Sequence, residues 1–194
     1  MRKPLVLLLF LSLCIIGFAQ QRSSLAPNLK KLKDDTIVWK KDSLLTKDDF
    51  KAKPHQGGPL GFTVSSIFFY TNENNGQLVF EVETLFIKSK SYITQYSEYV
   101  LKHEQLHFNI TELYARKLRK MIADKDFKKV SNMNQVIQNM YNKVEQEWER
   151  TEQKYDDETN HGLNAARQQE WSDNIKSQLD ALDAYSSTEV NIVK

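Results

Sequence analysis

Hydrophobic and polar residues alternate along two neighbouring segments of the chain, 62–71 and 77–87. Alternation with a period of two is typical of strands that bury one face. The segment between them, "NENNG", is rich in Asn and Gly, which tolerate the backbone angles of tight turns. The pattern therefore predicts a β-hairpin. We also expect a short strand at 36–39, "TIVW", and a helical turn within 42–50 that anchors Phe50.

The spacing of hydrophobic residues becomes helical from about residue 93 onwards. The chain contains no proline after Pro59 that would interrupt these helices. Apolar positions spaced by three and four predict helices at 93–123, 126–154 and 164–184. The segment "DDETNHG" separates the last two, with Gly162 as its pivot. These elements predict an α+β fold in which a small antiparallel sheet packs on a long helix followed by two further helices.

The first 19 residues have a basic start, an apolar run and then small residues, which is the pattern of a secretory signal peptide. We therefore expect export to the periplasm or the medium, without a membrane span once the signal is removed. Cys14 leaves a lipoprotein as the alternative, although a bulky leucine precedes it. A polar linker is expected at 20–35, one domain at 36–185, and a C-terminal tail at 186–194.

Charge and cysteine content exclude several classes of partner and of site. The chain has 27 basic and 25 acidic residues, and loss of Arg2 and Lys3 with the signal leaves 25 of each. No basic stretch interleaved with aromatic residues remains, so we expect neither nucleic acid nor an anionic membrane as partner. The only cysteine lies in the signal. The mature chain therefore forms no disulfide, and a metal would be held by nitrogen and oxygen atoms.

The segment "HEQLH", residues 103–107, falls within the first predicted helix. Residues four apart lie on one helix face, so His103 and His107 can bind one ion at about 2.0–2.1 Å. Glu104 is turned by about 100° from His103, which places its carboxylate beside the metal. We therefore expect one zinc ion per chain, with Glu104 as general base towards a zinc-activated water. The alternative is two core histidines that hydrogen-bond to backbone or tyrosine.

A catalytic zinc site usually has three protein ligands, so a further ligand is expected elsewhere in the chain. His161, in the break between the last two helices, is predicted to be that ligand, with Asp157 or Glu158 as substitutes or as partners that orient its ring. A simple role of His161 in capping the helix remains open. Glu112 is expected to face solvent, and His55 to lie in a solvated loop or lid.

Several segments, taken in order, resemble a bacterial family known as domain of unknown function 922, whose members are regarded as secreted zinc-dependent proteases. The resemblance covers roughly residues 36–175. It implies a zincin-like fold, with His103, His107 and His161 as zinc ligands and Glu104 as general base. It rests on "VWKKDSLLTKDDF", Thr63 and Ser65, "HEQLHFNITELYARKL", "YDDETNHG", Gln169 and Trp171.

Three functions are compatible with these patterns. The first is an exported zinc metallopeptidase that acts on a peptide or protein, with the strand 77–87 offering its edge to the substrate and Tyr155 as a candidate oxyanion donor. The second is a non-catalytic, zinc-stabilised binding module of the envelope. The third is a helical envelope protein without metal. A carboxylate directly after the first ligand favours catalysis, because a structural site does not need Glu104.

Overall fold

The computed structural model describes residues 34–74 and 77–192. The predicted signal at 1–19 and the linker up to residue 33 lie outside these ranges. The domain lies in one compact unit, Asp35–Lys194. Within the described ranges, we find no helix that combines the length and the apolar character needed to cross a membrane.

The larger sheet is antiparallel and is centred on one long strand, β4 (Gln77–Ile87). The predicted hairpin is confirmed, because β3 (Ser65–Asn74) pairs with β4 along its whole length. The predicted strand at 36–39 is confirmed as β1 (Thr36–Val38). Period-two alternation gives this hairpin one face for the core. The strands of this sheet are β1 (Thr36–Val38), β3 (Ser65–Asn74), β4 (Gln77–Ile87) and β6 (Glu189–Asn191).

Both edges of β4 are paired, which corrects two expectations. One edge carries β3, and the other carries β1 opposite Leu85–Ile87 and β6 opposite Val79–Glu81. The expectation that strand 77–87 offers a free edge to a peptide is therefore wrong. The segment 186–194, expected to be a tail, contains β6, so the sheet continues beyond residue 185. The segment 186–194 has too few hydrophobic residues to predict a strand from the sequence alone, because β6 forms by pairing with β4.

A second, two-stranded sheet lies next to the long helix. It pairs β2 (Gly61–Phe62) with β5 (Tyr92–Ile93). The segment 53–61, "KPHQGGPLG", forms a Gly- and Pro-rich loop that leads directly into β2. The predicted helical turn is confirmed as a 3-10 turn at Lys47–Asp49, and Phe50 packs edge-on against Phe86 with ring centroids 5.1 Å apart.

Within residues 77–192 the sheet is followed by three α-helices: α1 (Glu98–Ala123), α2 (Met133–Thr159) and α3 (Ala165–Ala181). The three-helix prediction is confirmed, with shifted ends. The first helix begins later than expected because Ser97 caps it, accepting a hydrogen bond from the Val100 amide. The second helix continues past residue 154 to Thr159, where Asn160, with a left-handed backbone, caps its end.

Helix α1 is enclosed on two sides, which explains its unusual number of buried residues. It contacts β3 and β4 on one side and α2 and α3 on the other. Apolar side chains such as Phe108, Ile110, Leu113 and Leu118 are therefore all buried, although they point in different directions around the helix. The helix cannot be amphipathic in the simple sense, since it has almost no solvated face.

Glu112 belongs to this enclosed helix, so its expected exposure to solvent is wrong. Its carboxylate is 2% exposed and accepts hydrogen bonds from Thr84 Oγ1 at 2.7 Å, Arg116 Nε at 2.9 Å and Arg119 Nη1 at 2.8 Å. Arg119 also donates to the Val82 carbonyl oxygen. Each buried charge therefore has partners, as burial of ions requires.

Replacing Glu112 with alanine tests this network. The change leaves the guanidinium groups of Arg116 and Arg119 buried without their carboxylate, and loss of one partner of a buried pair costs about 3–5 kcal/mol. We expect a correspondingly lower urea midpoint. The matched control is Asp180→Ala, which removes an exposed partner of Lys176 and is expected to leave the midpoint nearly unchanged. Equal midpoints for the two variants would contradict a stabilising role of the network.

Candidate metal centre

The two motif histidines lie on α1 and meet a carboxylate from α2. The Nε2 atoms of His103 and His107 are 3.3 Å apart. Asp156 Oδ1, in the last turn of α2, lies 3.1 Å from each of them. The three atoms form a nearly equilateral triangle, and these residues make up a group that could hold a metal ion.

The size of this triangle fits a tetrahedral zinc ion. Bonds of about 2.0–2.1 Å arranged tetrahedrally place neighbouring ligand atoms about 3.3–3.4 Å apart. The observed separations of 3.1–3.3 Å are close to that value. Two imidazoles and one carboxylate are also a donor set that zinc accepts in sites with an open position.

The far nitrogen of each ring is held by an acceptor. Nδ1 of His103 lies 3.1 Å from Gln168 Oε1, and Nδ1 of His107 contacts Glu152 Oε2. In the neutral imidazole, an acceptor at Nδ1 places the single ring proton there, so the lone pair at Nε2 is directed into the triangle. The lone pairs of two rings then converge, an arrangement that a cation stabilises.

Further contacts fix these acceptors. Glu152 accepts from Trp148 Nε1 at 2.7 Å and from Thr111 Oγ1 at 3.4 Å. Thr111 in turn hydrogen-bonds to Ser65 on β3 at 2.6 Å. The orientation of His107 is thus tied to α2 and to the sheet, as is common around metal ligands.

The acidic groups around the histidines shift their protonation. Burial raises the pKa of Asp156, but hydrogen bonds from His103 and His107 outweigh it, and the pKa falls well below its usual range. Burial lowers the pKa of His107, yet Glu152 and Asp156 outweigh it and raise that pKa well above its usual range. The cluster thus has an excess of negative groups that a cation can neutralise.

Glu104 lies beside this triangle in a tight position. Its side chain is 2% exposed, and a Cβ atom on Gly61 would lie 2.8 Å from the Glu104 carboxyl carbon. Its Oε2 atom is buried and has no hydrogen-bond partner among the residues that the structure describes. Burial raises its pKa, and the nearby His107 and His103 only partly oppose this. The carboxylate is therefore available as a base.

His161 lines the same pocket but does not converge with the triangle. Its side chain is 60% exposed, and Nδ1 lies 3.7 Å from Asp156 Oδ2. Asn160, His161 and Gly162 all have positive φ, so they do form the left-handed end of α2. Gly162 packs against the His103 ring, where a Cβ atom would lie 3.1 Å from Cγ. The role of His161 as a ligand stays a prediction.

The other residues considered from the sequence have different surroundings. The Tyr155 hydroxyl donates to the His103 carbonyl oxygen at 3.3 Å, and its ring stacks on His103. Asp157 is exposed and accepts from Gln153. Glu158 accepts from Trp171 Nε1 at 2.9 Å, which ties the end of α2 to α3.

The Gly- and Pro-rich loop keeps His55 apart from the metal triangle. His55 is exposed and packs edge-on against the Tyr92 ring, with centroids 5.8 Å apart. The end of this loop, from Pro59 to Gly61, lines the pocket. The loop therefore borders the site through Pro59, Leu60 and Gly61, and its action as a lid stays a prediction.

Sequence reasoning missed Asp156, Glu152 and Gln168. The available signal was the spacing of four between Glu152 and Asp156, which matches that between the histidines and places both acids on one face of α2. Because the helix was predicted to end at residue 154, this face was not recognised. Gln168 gave no signal, since a glutamine near a helix start is common on a surface.

A model of a family described as a bacterial protein of unknown function (DUF922) matches residues 88–162. The matched segment includes α1 and α2, and hence His103, Glu104, His107 and Asp156. The match supports the resemblance to this family described above. It covers a shorter segment than the span 36–175 of that resemblance. No curated protein and no solved structure matches the chain.

Burial of the Glu104 carboxylate predicts how the stability of the metal-free protein depends on pH. Because the folded-state pKa of Glu104 is raised, its ionised form costs stability above the unfolded pKa of about 4.3. We therefore expect Glu104→Gln to melt at a higher temperature than the parent at pH 7.5, with the difference disappearing near pH 4. Glu149→Gln, at an exposed position of α2, is the control. A lower melting temperature for Glu104→Gln at pH 7.5 would indicate a stabilising partner instead.

Proposed function

We propose that this chain is an exported zinc-dependent metallopeptidase with a zincin-like fold. His103, His107 and Asp156 hold the ion, and Glu104 is the general base. The observation that carries the proposal is the convergence of three ligand atoms 3.1–3.3 Å apart beside a buried carboxylate. Export rests on the hydrophobic pattern of residues 1–19.

The metal supplies one part of the chemistry and the chain the rest. A bound zinc ion lowers the pKa of a water molecule and polarises a carbonyl group. Gln168 and Glu152 keep the two imidazoles in the tautomer that binds metal. Three protein ligands leave a position for water or substrate, which distinguishes catalytic from structural zinc sites.

Glu104 performs the proton transfers. Its unpartnered Oε2 takes a proton from the attacking water, and the raised pKa allows the carboxyl group to hold that proton briefly. The same proton then passes to the nitrogen of the leaving amine. The net reaction consumes one water and one amide bond, and it yields a carboxylic acid and an amine.

The pocket walls suit a peptide or protein substrate. Leu60, Phe62 and Leu163 line the pocket and are 40%, 47% and 68% exposed. Such side chains can cover an apolar residue next to the bond that is cleaved. The polar groups are concentrated at its floor, where His103 and Glu104 lie.

A zinc-stabilised binding module is the second candidate, and the position of His161 favours it. His161 lines the same pocket, and a fourth protein ligand would close the site and make it structural. The Glu104 carboxylate is buried, and its Oε2 has no hydrogen-bond partner within the described ranges. This argues for catalysis, because a closed site gives no benefit for the burial cost.

Metal content tests the ligand set. We expect about one zinc per chain in protein purified without chelator, and Asp156→Ala to weaken zinc binding by more than about 100-fold, because removal of even an orienting partner costs 10–100-fold. His161→Ala, the matched variant in the same pocket, is expected to retain the ion. Mass spectrometry of the same protein, taken from the exported fraction, shows whether residues 1–19 have been removed. Loss of zinc from His161→Ala but not from Asp156→Ala would reverse the assignment, and absence of zinc in the parent would refute the metal site.

Activity tests the base. With zinc-loaded protein and a library of quenched fluorescent peptides, Glu104→Gln is expected to lower hydrolysis by about 10²–10⁴-fold, since that is the usual contribution of a general base. Its zinc content should remain that of the parent. Glu149→Gln is the surface control. Hydrolysis that persists in Glu104→Gln would exclude the assigned base, and a zinc-loaded parent without hydrolysis would favour the binding module.

A further inference from the structure

Two buried polar side-chain atoms have no hydrogen-bond partner among the described residues, and both belong to the same pocket. They are Tyr99 Oη and Glu104 Oε2. Buried polar groups almost always have a partner, so each exception needs an explanation, and a role towards a bound substrate is one. The role of Glu104 as general base explains its atom without a partner, whereas the proposed reaction so far gives the Tyr99 hydroxyl no role.

We propose that Tyr99 is a catalytic residue whose hydroxyl donates a hydrogen bond to the carbonyl oxygen of the bound amide as that carbon becomes tetrahedral. The inference rests on the proposed peptidase function and names a residue that the sequence patterns did not. Negative charge develops on this oxygen during attack, and a pre-positioned donor stabilises it.

The position of Tyr99 on α1 supports this role. Tyr99, His103 and His107 are spaced by four, so they follow one another along the same helix face. The phenol therefore stands one turn above the first metal ligand. Burial raises the pKa of Tyr99, so the hydroxyl keeps its proton and remains a donor at neutral pH.

The neighbouring tyrosines already have partners. Tyr155, the candidate from the sequence, donates to the His103 carbonyl oxygen at 3.3 Å and is completely buried. Its stacked ring positions His103 instead. Tyr96 is 47% exposed and hydrogen-bonds to Glu98. Of these three tyrosines, Tyr99 is the one whose hydroxyl has no hydrogen-bond partner within the described residues.

Removing single hydroxyl groups tests the proposal. We would compare Tyr99→Phe with Tyr155→Phe and with Tyr96→Phe, an exposed control. Four properties are measured. They are the melting temperature of the metal-free protein, the zinc content, kcat/KM for peptide hydrolysis, and the affinity of the zinc-loaded protein for a phosphinic pseudodipeptide with a leucine side chain on each side of phosphorus. Its tetrahedral phosphorus carries oxygens where the reacting carbonyl oxygen would be.

We expect Tyr99→Phe to melt no lower than the parent, because no hydrogen bond is lost within the protein. Its zinc content is expected to be unchanged and its affinity for the phosphinic compound to fall by more than about tenfold. Its kcat/KM is expected to fall by about 10²–10³-fold, the usual effect of removing one oxyanion donor. Tyr155→Phe is expected to melt lower, and Tyr96→Phe to match the parent.

The outcomes separate this inference from the proposed function. A parent protein that binds the phosphinic compound but hydrolyses no peptide refutes the peptidase function. In that case the affinity of Tyr99→Phe for the compound still shows whether the Tyr99 hydroxyl contacts the bound ligand. Unchanged affinity in Tyr99→Phe overturns the inference, as does a parent that does not bind the compound. A lower melting temperature or lost zinc in Tyr99→Phe would assign Tyr99 a structural role and overturn it too.

Discussion

The site depends on one electrostatic constraint: two imidazole nitrogens and a carboxylate oxygen occupy a triangle with sides of 3.1–3.3 Å. Lone pairs directed at a common point repel one another unless a positive charge lies between them. Acceptors at both Nδ1 atoms keep the rings in this orientation. In the metal-free protein a proton on the histidines supplies this charge, as the raised pKa of His107 indicates. A metal ion would replace that proton, so protons and metal compete for the cluster, which is the property expected of a metal site.

The surrounding fold has the features needed to hold this arrangement. Helix α1 is packed between the sheet and the other two helices, so its histidines cannot turn away into solvent. Two glycines allow close approach on either side, Gly61 against Glu104 and Gly162 against His103. Buried pairs such as Glu112 with Arg116 fix the far end of the same helix. The rigidity of α1 is thus a condition for the geometry of the site.

The sequence predicted the parts of the site that depend on local periodicity. Alternation identified the hairpin, and the spacing of four placed His103 and His107 on one helix face. The sequence could not show that α2 continues past residue 154, because the polar segment around Asp156 resembles a loop, and its helical state is supported by packing on α1. Burial of Glu112 was missed for a related reason. A sequence does not show that a helix is covered on both sides.

The central claim is that the ion binds at the triangle and not elsewhere in the pocket. Anomalous diffraction at the zinc edge, on crystals of the zinc-loaded protein, tests it most directly. We expect one strong peak about 2.0–2.1 Å from His103 Nε2, His107 Nε2 and an Asp156 carboxylate oxygen. A peak bonded to His161 and remote from Asp156, or no peak at the histidines, would contradict it.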